Sequence, residues 1–352
     1  MNSTLFSGNY FYNCKIKERL IGDCVSEGKT PFIITFNRNR NARDFEAVEF
    51  SLADFMPYLS PDECCDCFAE IVGSNIEIRN LMERFIRYFR SYTDVTGIGL
   101  LDINRWSMRE LIQNNCAGNN ELHSFLSDNF NLLAALENYI HHVAMKIGTS
   151  IIDVRNSIRT NKAMLYKINP YSEQREQSIL LKYILRCIEN FLSPESGVIF
   201  FESIPCEYSN TICNFMSSNR FQTRAFVNDL FVFDEHTKSE LLSSCKKAVF
   251  FKHNSDTATR GISEFIGKHD VNQASFTRYP ERRRGVFSEI HSHSLSPTND
   301  LSIVGRGSTD IGYTVSKVEK YKLSPEEINN IQEDEAIVVN CVDKSYSIVK
   351  CR

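Results

Sequence analysis

A chain of 352 residues with 42% hydrophobic and 11% aromatic residues can bury a sizeable core, as one large domain or two ordinary ones, and does not have the composition of a disordered chain. Its formal net charge of -4 excludes a general drive toward nucleic acid and leaves only local basic patches as candidates. No run approaches the roughly 20 apolar residues of a membrane span, and residues 1–10 lack the basic start and apolar core of a signal peptide, so neither is expected.

In chain order, residues 14–26 carry Ile16, Leu20, Ile21 and Val25 on one helical face, and Glu27-Gly28-Lys29 ends that helix. Pro31-Phe32-Ile33-Ile34-Thr35-Phe36 is a short apolar, β-branched run of the kind buried in parallel sheets. A polar turn with three arginines follows at 37–43. The pattern then changes. Over 52–148 the apolar residues Leu81, Phe85, Tyr88 and Phe89, then Leu122, Phe125 and Leu126, then Leu132, Leu133, Leu136, Ile140 and Val143 recur at helical spacing, with 114–120 as a connecting loop. Strand patterns return at 162–168, 197–201, 224–227 and 248–251, with helical patterns at 178–192, 211–219 and 237–245 between them. Such alternation predicts an α/β domain with a mostly parallel sheet and helices on both faces. Residues 275–316 are rich in Ser, Arg, Thr and Gly and predict an irregular excursion with short strands at most.

Twelve cysteines without regular spacing point to reduced thiols in a cytosol rather than a disulfide framework. Cys64-Cys65-Asp66-Cys67 has no second CxxC pair to complete a tetrahedral site, and the pairs His141-His142 and His291-Ser292-His293 have no further ligands beside them, so no metal site is expected.

The last hundred or so residues carry the most specific pattern. Ala248-Val249-Phe250-Phe251 reads as a buried strand, and a capped helix ends at Gly267. The excursion follows, then the short helix of Tyr321-Lys322-Leu323-Ser324-Pro325-Glu326-Glu327-Ile328, and a final strand at Glu335-Ala336-Ile337-Val338-Val339. This order resembles the end of the motor domain of the TraD/TraG type IV coupling proteins, whose motor is of the FtsK/HerA-like P-loop type. The resemblance is specific from about 160 to 352, and rests on the order of elements alone from 1 to 150. It implies a RecA-like P-loop NTPase fold, α/β with a mostly parallel sheet, interrupted by an inserted all-helical domain. Residues 1–50 would be the first part of the α/β domain, 51–155 the helical insert, and 156–352 the remainder, including an excursion over 275–318. The family's N-terminal membrane segment is not expected here.

The motor chemistry the resemblance brings with it is eroded. A phosphate loop needs a Gly-rich turn between strand and helix whose backbone N–H groups cradle phosphates, a Lys for the terminal phosphates and a Ser or Thr for magnesium. The turn falls in Ser7-Gly8-Asn9-Tyr10-Phe11-Tyr12-Asn13-Cys14-Lys15, which has one glycine and no GK[ST]. Ser7, Gly8, Asn9 and Lys15 are therefore vestigial nucleotide positions. Gly28-Lys29-Thr30 sits after a helix and before a strand, the reverse of the required order. The acidic pair expected after a buried strand is Glu202-Ser203, where Glu202 is a vestigial acidic position and Ser203 stands in the place of the catalytic Glu; a hydroxyl that does not ionise near neutral pH cannot serve as that base. Phe231-Val232-Phe233-Asp234-Glu235 matches the text of the acidic motif but reads as a helix start, with its acids at the positive end. Asn228 or Asp229 stands near the family's sensor glutamine. Arg220, near the family's arginine, together with Arg224 and the cluster Arg282-Arg283-Arg284 beside Arg278 and Tyr279, are candidates for an interface or a phosphate contact.

The expected function is thus a nucleotide-inactive, coupling-protein-like component of a type IV secretion or conjugation system, recruiting a substrate or acting as a scaffold beside an active motor. Its expected partners are secretion or conjugation machinery proteins, an active coupling ATPase, a protein substrate or relaxase-type cargo, and DNA as a further candidate. The expected location is the cytoplasm, peripheral at the inner membrane through partners, with no cofactor. One alternative is an active ATP-dependent DNA or protein translocase with an unconventional or shared site for ATP and magnesium. Another is a stand-alone adaptor or regulator that uses a degenerate ATPase fold.

Overall fold

The computed structural model describes residues 3–8, 10–37, 39–73, 76–96, 100, 108–114, 118–148, 152–168, 173–218, 220–253, 255–278 and 311–351. The chain begins with β1 (Ser3–Ser7), α1 (Tyr10–Ser26), β2 (Thr30–Thr35) and the two-residue β3 (Val48–Glu49). A helical block follows: α2 (Pro61–Val72), α3 (Ile76–Thr96), α4 (Met108–Gln113), α5 (Asn120–Asp128), α6 (Leu133–Ile147) and α7 (Val154–Arg159). Then come β4 (Met164–Lys167), α8 (Gln174–Phe191), β5 (Gly197–Glu202), α9 (Ser209–Ser217), β6 (Gln222–Val227), α10 (Glu235–Ser243), β7 (Lys247–Phe251) and α11 (Asp256–Ile266). The last elements are β8 (Lys268–Arg278), β9 (Ile311–Tyr321), α12 (Pro325–Asn329), β10 (Glu335–Asn340) and β11 (Tyr346–Lys350).

Nine strands form one sheet in the order β11-β10-β7-β1-β6-β5-β2-β4-β3. From β7 to β3 every pairing is parallel; β10 and β11 join antiparallel at one edge. β2 and β5 are buried at every position. That is why Pro31-Phe32-Ile33-Ile34 and Val198-Ile199-Phe200-Phe201 read as continuous apolar runs rather than as alternating ones. The two faces are dressed unequally. One carries Phe6, Ile33, Leu165, Val198, Phe200, Phe226 and Phe251, and among the described residues α1 is the helix that covers it, through Ile21 and Cys24. The other face shares one continuous core with the helical block and with α8 to α12. An edge contact of Phe55, in the segment before α2, on Phe191 of α8, with ring centroids 5.5 Å apart, ties the entry to the block to α8.

Most expected elements are found within a few residues of their predicted bounds. Three differences matter. First, α1 starts at Tyr10, so residues 10–13, expected in a turn before a helix over 14–26, are already helical. Second, the buried stripe of α1 runs through Lys17, Ile21 and Cys24, while Val25 is exposed. Third, 268–278 and 311–321 are not short or irregular: they pair over eleven residues, from Lys268 opposite Tyr321 to Arg278 opposite Ile311. Residues 279–310 separate the two arms, so no short turn signal marked the hairpin. β11 also went unpredicted, and no described helix is long and apolar enough to cross a membrane.

Candidate functional site

In open α/β sheets ligands gather outside the C-terminal ends of the strands. Here that edge is formed by the ends of β7, β1, β6 and β5. Between β1 and α1 lie only Gly8 and Asn9. Gly8 adopts φ 131, and a Cβ there would stand 2.8 Å from Phe251 Cβ and 3.1 Å from its carbonyl oxygen, so glycine is required to hold the turn against β7. The Gly8 N–H donates to the Asn228 carbonyl after β6, at 3.1 Å. The Ser7 hydroxyl accepts the Leu230 N–H at 3.0 Å and lies 3.4 Å from His253 Nε2. His253 Nδ1 is 3.9 Å from Asp229 Oδ1, and Asp229 in turn accepts the Phe231 N–H at 2.8 Å. Burial pushes the His253 pKa down; the Asp229 charge and the bond to Ser7 oppose this. The ends of β1, β6 and β7 are therefore stitched to each other. Ser7 is fully buried, which leaves its hydroxyl closed to any reactant.

The second feature is a buried charge cluster at the end of β5. Phe251, Phe6, Phe226 and Phe200 form a row of stacked rings across the sheet, with Phe6 and Phe226 4.5 Å apart. The Lys17 ammonium reaches over the Phe226 ring, 5.7 Å from its centroid, and donates to Glu202 Oε1. Arg40, from the turn after β2, donates its Nε–H to the same oxygen at 2.8 Å. The Arg40 guanidinium also donates to Cys14 Sγ at 2.8 Å and stands 3.7 Å from Asp44 and 4.0 Å from Glu18. Lys17 and Glu202 are each 1% exposed. Burial pushes the Lys17 pKa down, and Glu202 opposes that shift. Glu202 Oε2 is buried without a hydrogen-bond partner among the described residues. Ser203 follows in the left-handed region at φ 58, so the chain leaves β5 through a strained residue.

Chemically this is a carboxylate already compensated by two cations. Among the described residues no group of three or more His, Cys, Asp or Glu side chains is placed to hold a metal ion. Of the residues singled out in the sequence, Ser7, Gly8 and Glu202 are brought to one edge of the sheet. Asn9 lies outside the described residues, as do the side chains of Tyr10, Phe11 and Tyr12. Lys15 is exposed on α1. Arg220 is exposed before β6 and lies over the Phe221 ring at 5.6 Å. Arg224 sits near Cys24 and Asp23 of the end of α1 and Glu27 just after it, and burial pushes its pKa down. Arg282, Arg283 and Arg284, Tyr279, the His291-His293 pair and the Arg278 side chain lie outside the described residues.

Asp234 caps α10: its carboxylate accepts the Thr237 N–H at 3.0 Å and the Thr237 hydroxyl at 2.7 Å, which holds its pKa down at about 2. Gly28-Lys29-Thr30 indeed leads from α1 into β2. Cys64, Cys65 and Cys67 are buried in α2; burial pushes the first two thiols up to about 12. Lys17 and Arg40 were not singled out in the sequence. The available signal was a lysine inside the apolar stripe Lys17, Ile21, Cys24, which calls for a buried carboxylate.

No family model matches the chain, and no curated protein matches it. Solved structures do. The unbound monoclinic form of the bacterial conjugative coupling protein TrwBdeltaN70 aligns with a TM-score of 0.51 at 12% identity, over 100% of this chain and 84% of that one. The plasmid coupling protein TrwB in complex with ADP and Mg2+ aligns at 0.50 and 13% identity, over 100% and 84%. Its complex with the non-hydrolysable GTP analogue GDPNP aligns at 0.50 and 13%, over 100% and 85%. At such identities the likeness establishes the fold, a P-loop NTPase architecture of the coupling-protein kind, as the tail of the sequence predicted.

Proposed function

We propose that the chain is a nucleotide-inactive, coupling-protein-like component of a type IV secretion or conjugation system, acting by binding: it recruits a substrate or serves as a scaffold beside an active motor. The fold shared with TrwB supports the setting. The observation that carries the loss of nucleotide chemistry is the Lys17–Glu202–Arg40 cluster. A magnesium site at the end of β5 needs a carboxylate with charge to spare. Glu202 has both cations on one oxygen and is sealed from solvent, so a dication would have to displace an ammonium that has nowhere hydrated to go.

The turn after β1 supports the same conclusion. A phosphate nest needs several consecutive free backbone N–H groups around the anion. Two residues separate β1 from α1, and the Gly8 N–H is already bonded to Asn228. The residues present do not fit a nucleoside triphosphate with its magnesium.

Titration calorimetry with ATP, with and without magnesium, tests this. The expected result is no saturable heat. Saturable binding together with hydrolysis that disappears in Glu202→Ala would refute it and favour an active translocase. Affinity capture from cells carrying a type IV system is expected to recover components of that system; recovery of none would favour a stand-alone adaptor.

A further inference from the structure

We propose that the cleft between α10 and α11 is a binding site for a small monocarboxylate with an apolar body, anchored by Lys344. The cleft has a volume of about 380 Å³ and is lined by Phe231, Leu242 and Phe265 with Lys238 and Lys344. That is small-molecule size. It exists because of Gly261. A Cβ on Gly261 would lie 2.2 Å from Phe231 Cδ1, so the Phe231 ring is seated in the notch of α11 instead of filling the space between the helices. The α11 side is thus aromatic, with Phe231 and Phe265, while α10 adds Leu242 among the polar Glu235, Ser239 and Ser243.

The charges choose the ligand. Lys238 Nζ lies 2.5 Å from Glu235 Oε1, so its charge is already met. Lys344 is different. It stands in the turn after β10 in the left-handed region at φ 58, an uncommon place for a lysine. Its ammonium is 3.5 Å from the Phe265 ring centroid. Among the described residues it has no carboxylate within ion-pair distance, and the neighbouring Cys341 thiol is kept neutral, pushed up to about 11 by burial. Partial burial also lowers the Lys344 pKa. Exposed Glu264 lines the same cleft and opposes a dianion such as phosphate. One cation without a carboxylate partner, lying on the Phe265 ring in a cleft also lined by Phe231 and Leu242, fits a single negative charge on an apolar body.

The site is independent of the nucleotide question. Its test uses the full chain with benzoate and phenylacetate as probes and benzamide as the neutral control, read by saturation-transfer NMR and by thermal shift. Saturable binding of the carboxylates, about tenfold stronger than the amide, is expected. Lys344→Gln, in an exposed turn, should lower carboxylate affinity by about tenfold while leaving benzamide unchanged. Ser239→Phe, which fills the mouth from α10, should abolish both; circular dichroism on each variant reports folding. Absence of saturation by either carboxylate, equal binding of benzamide, or undiminished carboxylate binding to folded Lys344→Gln would each overturn the proposal.

Discussion

Lys17→Met keeps an unbranched stem over the Phe226 ring and removes only the ammonium. Glu202 is then a buried carboxylate held by Arg40 alone. Removing one partner of a buried pair costs about 3–5 kcal/mol, because the other charge stays behind unpaired. Arg40, still 2.8 Å from the same oxygen, keeps Lys17→Met at the lower end, about 3 kcal/mol. Glu202→Gln is worse: it leaves two cations facing a neutral amide, so about 4 kcal/mol is expected. The double variant leaves Arg40 with Glu18 and Asp44 and no stranded partner, and should cost about 3 kcal/mol or less, against about 7 kcal/mol if the two changes simply added. A coupling of about 4 kcal/mol lies within the range measured for close charge pairs. With unfolding entropy near 2.1 cal/mol/K per residue, Lys17→Met should lower Tm by about 4 °C. Denaturant unfolding followed by far-UV circular dichroism gives all four corners of the cycle. If the single costs add to within about 0.5 kcal/mol, or if Lys17→Met stabilises the chain, the two groups are not a sealed pair and the account of Glu202 is wrong.

Two further outcomes follow from the same edge of the sheet. Gly8→Ala places a Cβ 2.8 Å from Phe251 at φ 131 and should cost about 2 kcal/mol or more, whereas Gly22→Ala, with nothing within 4 Å on exposed α1, should gain up to about 1 kcal/mol; equal effects in thermal unfolding would contradict the tight turn. His253 has its pKa lowered from 6.5 by burial, so the folded chain binds fewer protons than the unfolded one below that value. Its contribution is fully present above pH 6.5 and is lost as pH falls through the folded-state value. Between about pH 7 and about pH 5 the wild type should therefore lose more stability than His253→Gln in matched urea titrations, and parallel pH profiles would show that His253 does not titrate as a buried base.

The strands were legible because a strand buried on both faces can hold little but apolar and β-branched side chains, and β2 and β5 obey that rule. A helix start was legible where a cap announces it, at Asp234 before α10. The start of α1 carries no such signal. It follows a two-residue turn, and aromatic residues at 10–12 suggest neither a cap nor a loop, so the turn was drawn too long. The β8–β9 ribbon was lost because its arms are mostly polar, with apolar residues that change phase along each arm, and the sequence between them offers no hairpin turn.

The candidate site was legible only in its negative half. Missing glycines and the absent GK[ST] can be read in the text; the partners of Glu202 cannot. They form a long-range match between a lysine in α1, an arginine in a polar turn and a glutamate at a strand end, at 17, 40 and 202. Nothing local relates these positions. Each has an ordinary explanation alone: a solvated helix lysine, a loop arginine, a strand-end acid. Only the pairing register of β2 with β5, which sets Thr35 opposite Glu202, and the seating of α1 on the phenylalanine row bring the three charges to one point. A buried carboxylate kept without its metal would be strongly destabilising, and one replaced by an apolar residue would need no cations. Here the counter-charge comes from within the chain: Lys17 and Arg40 both meet the buried Glu202.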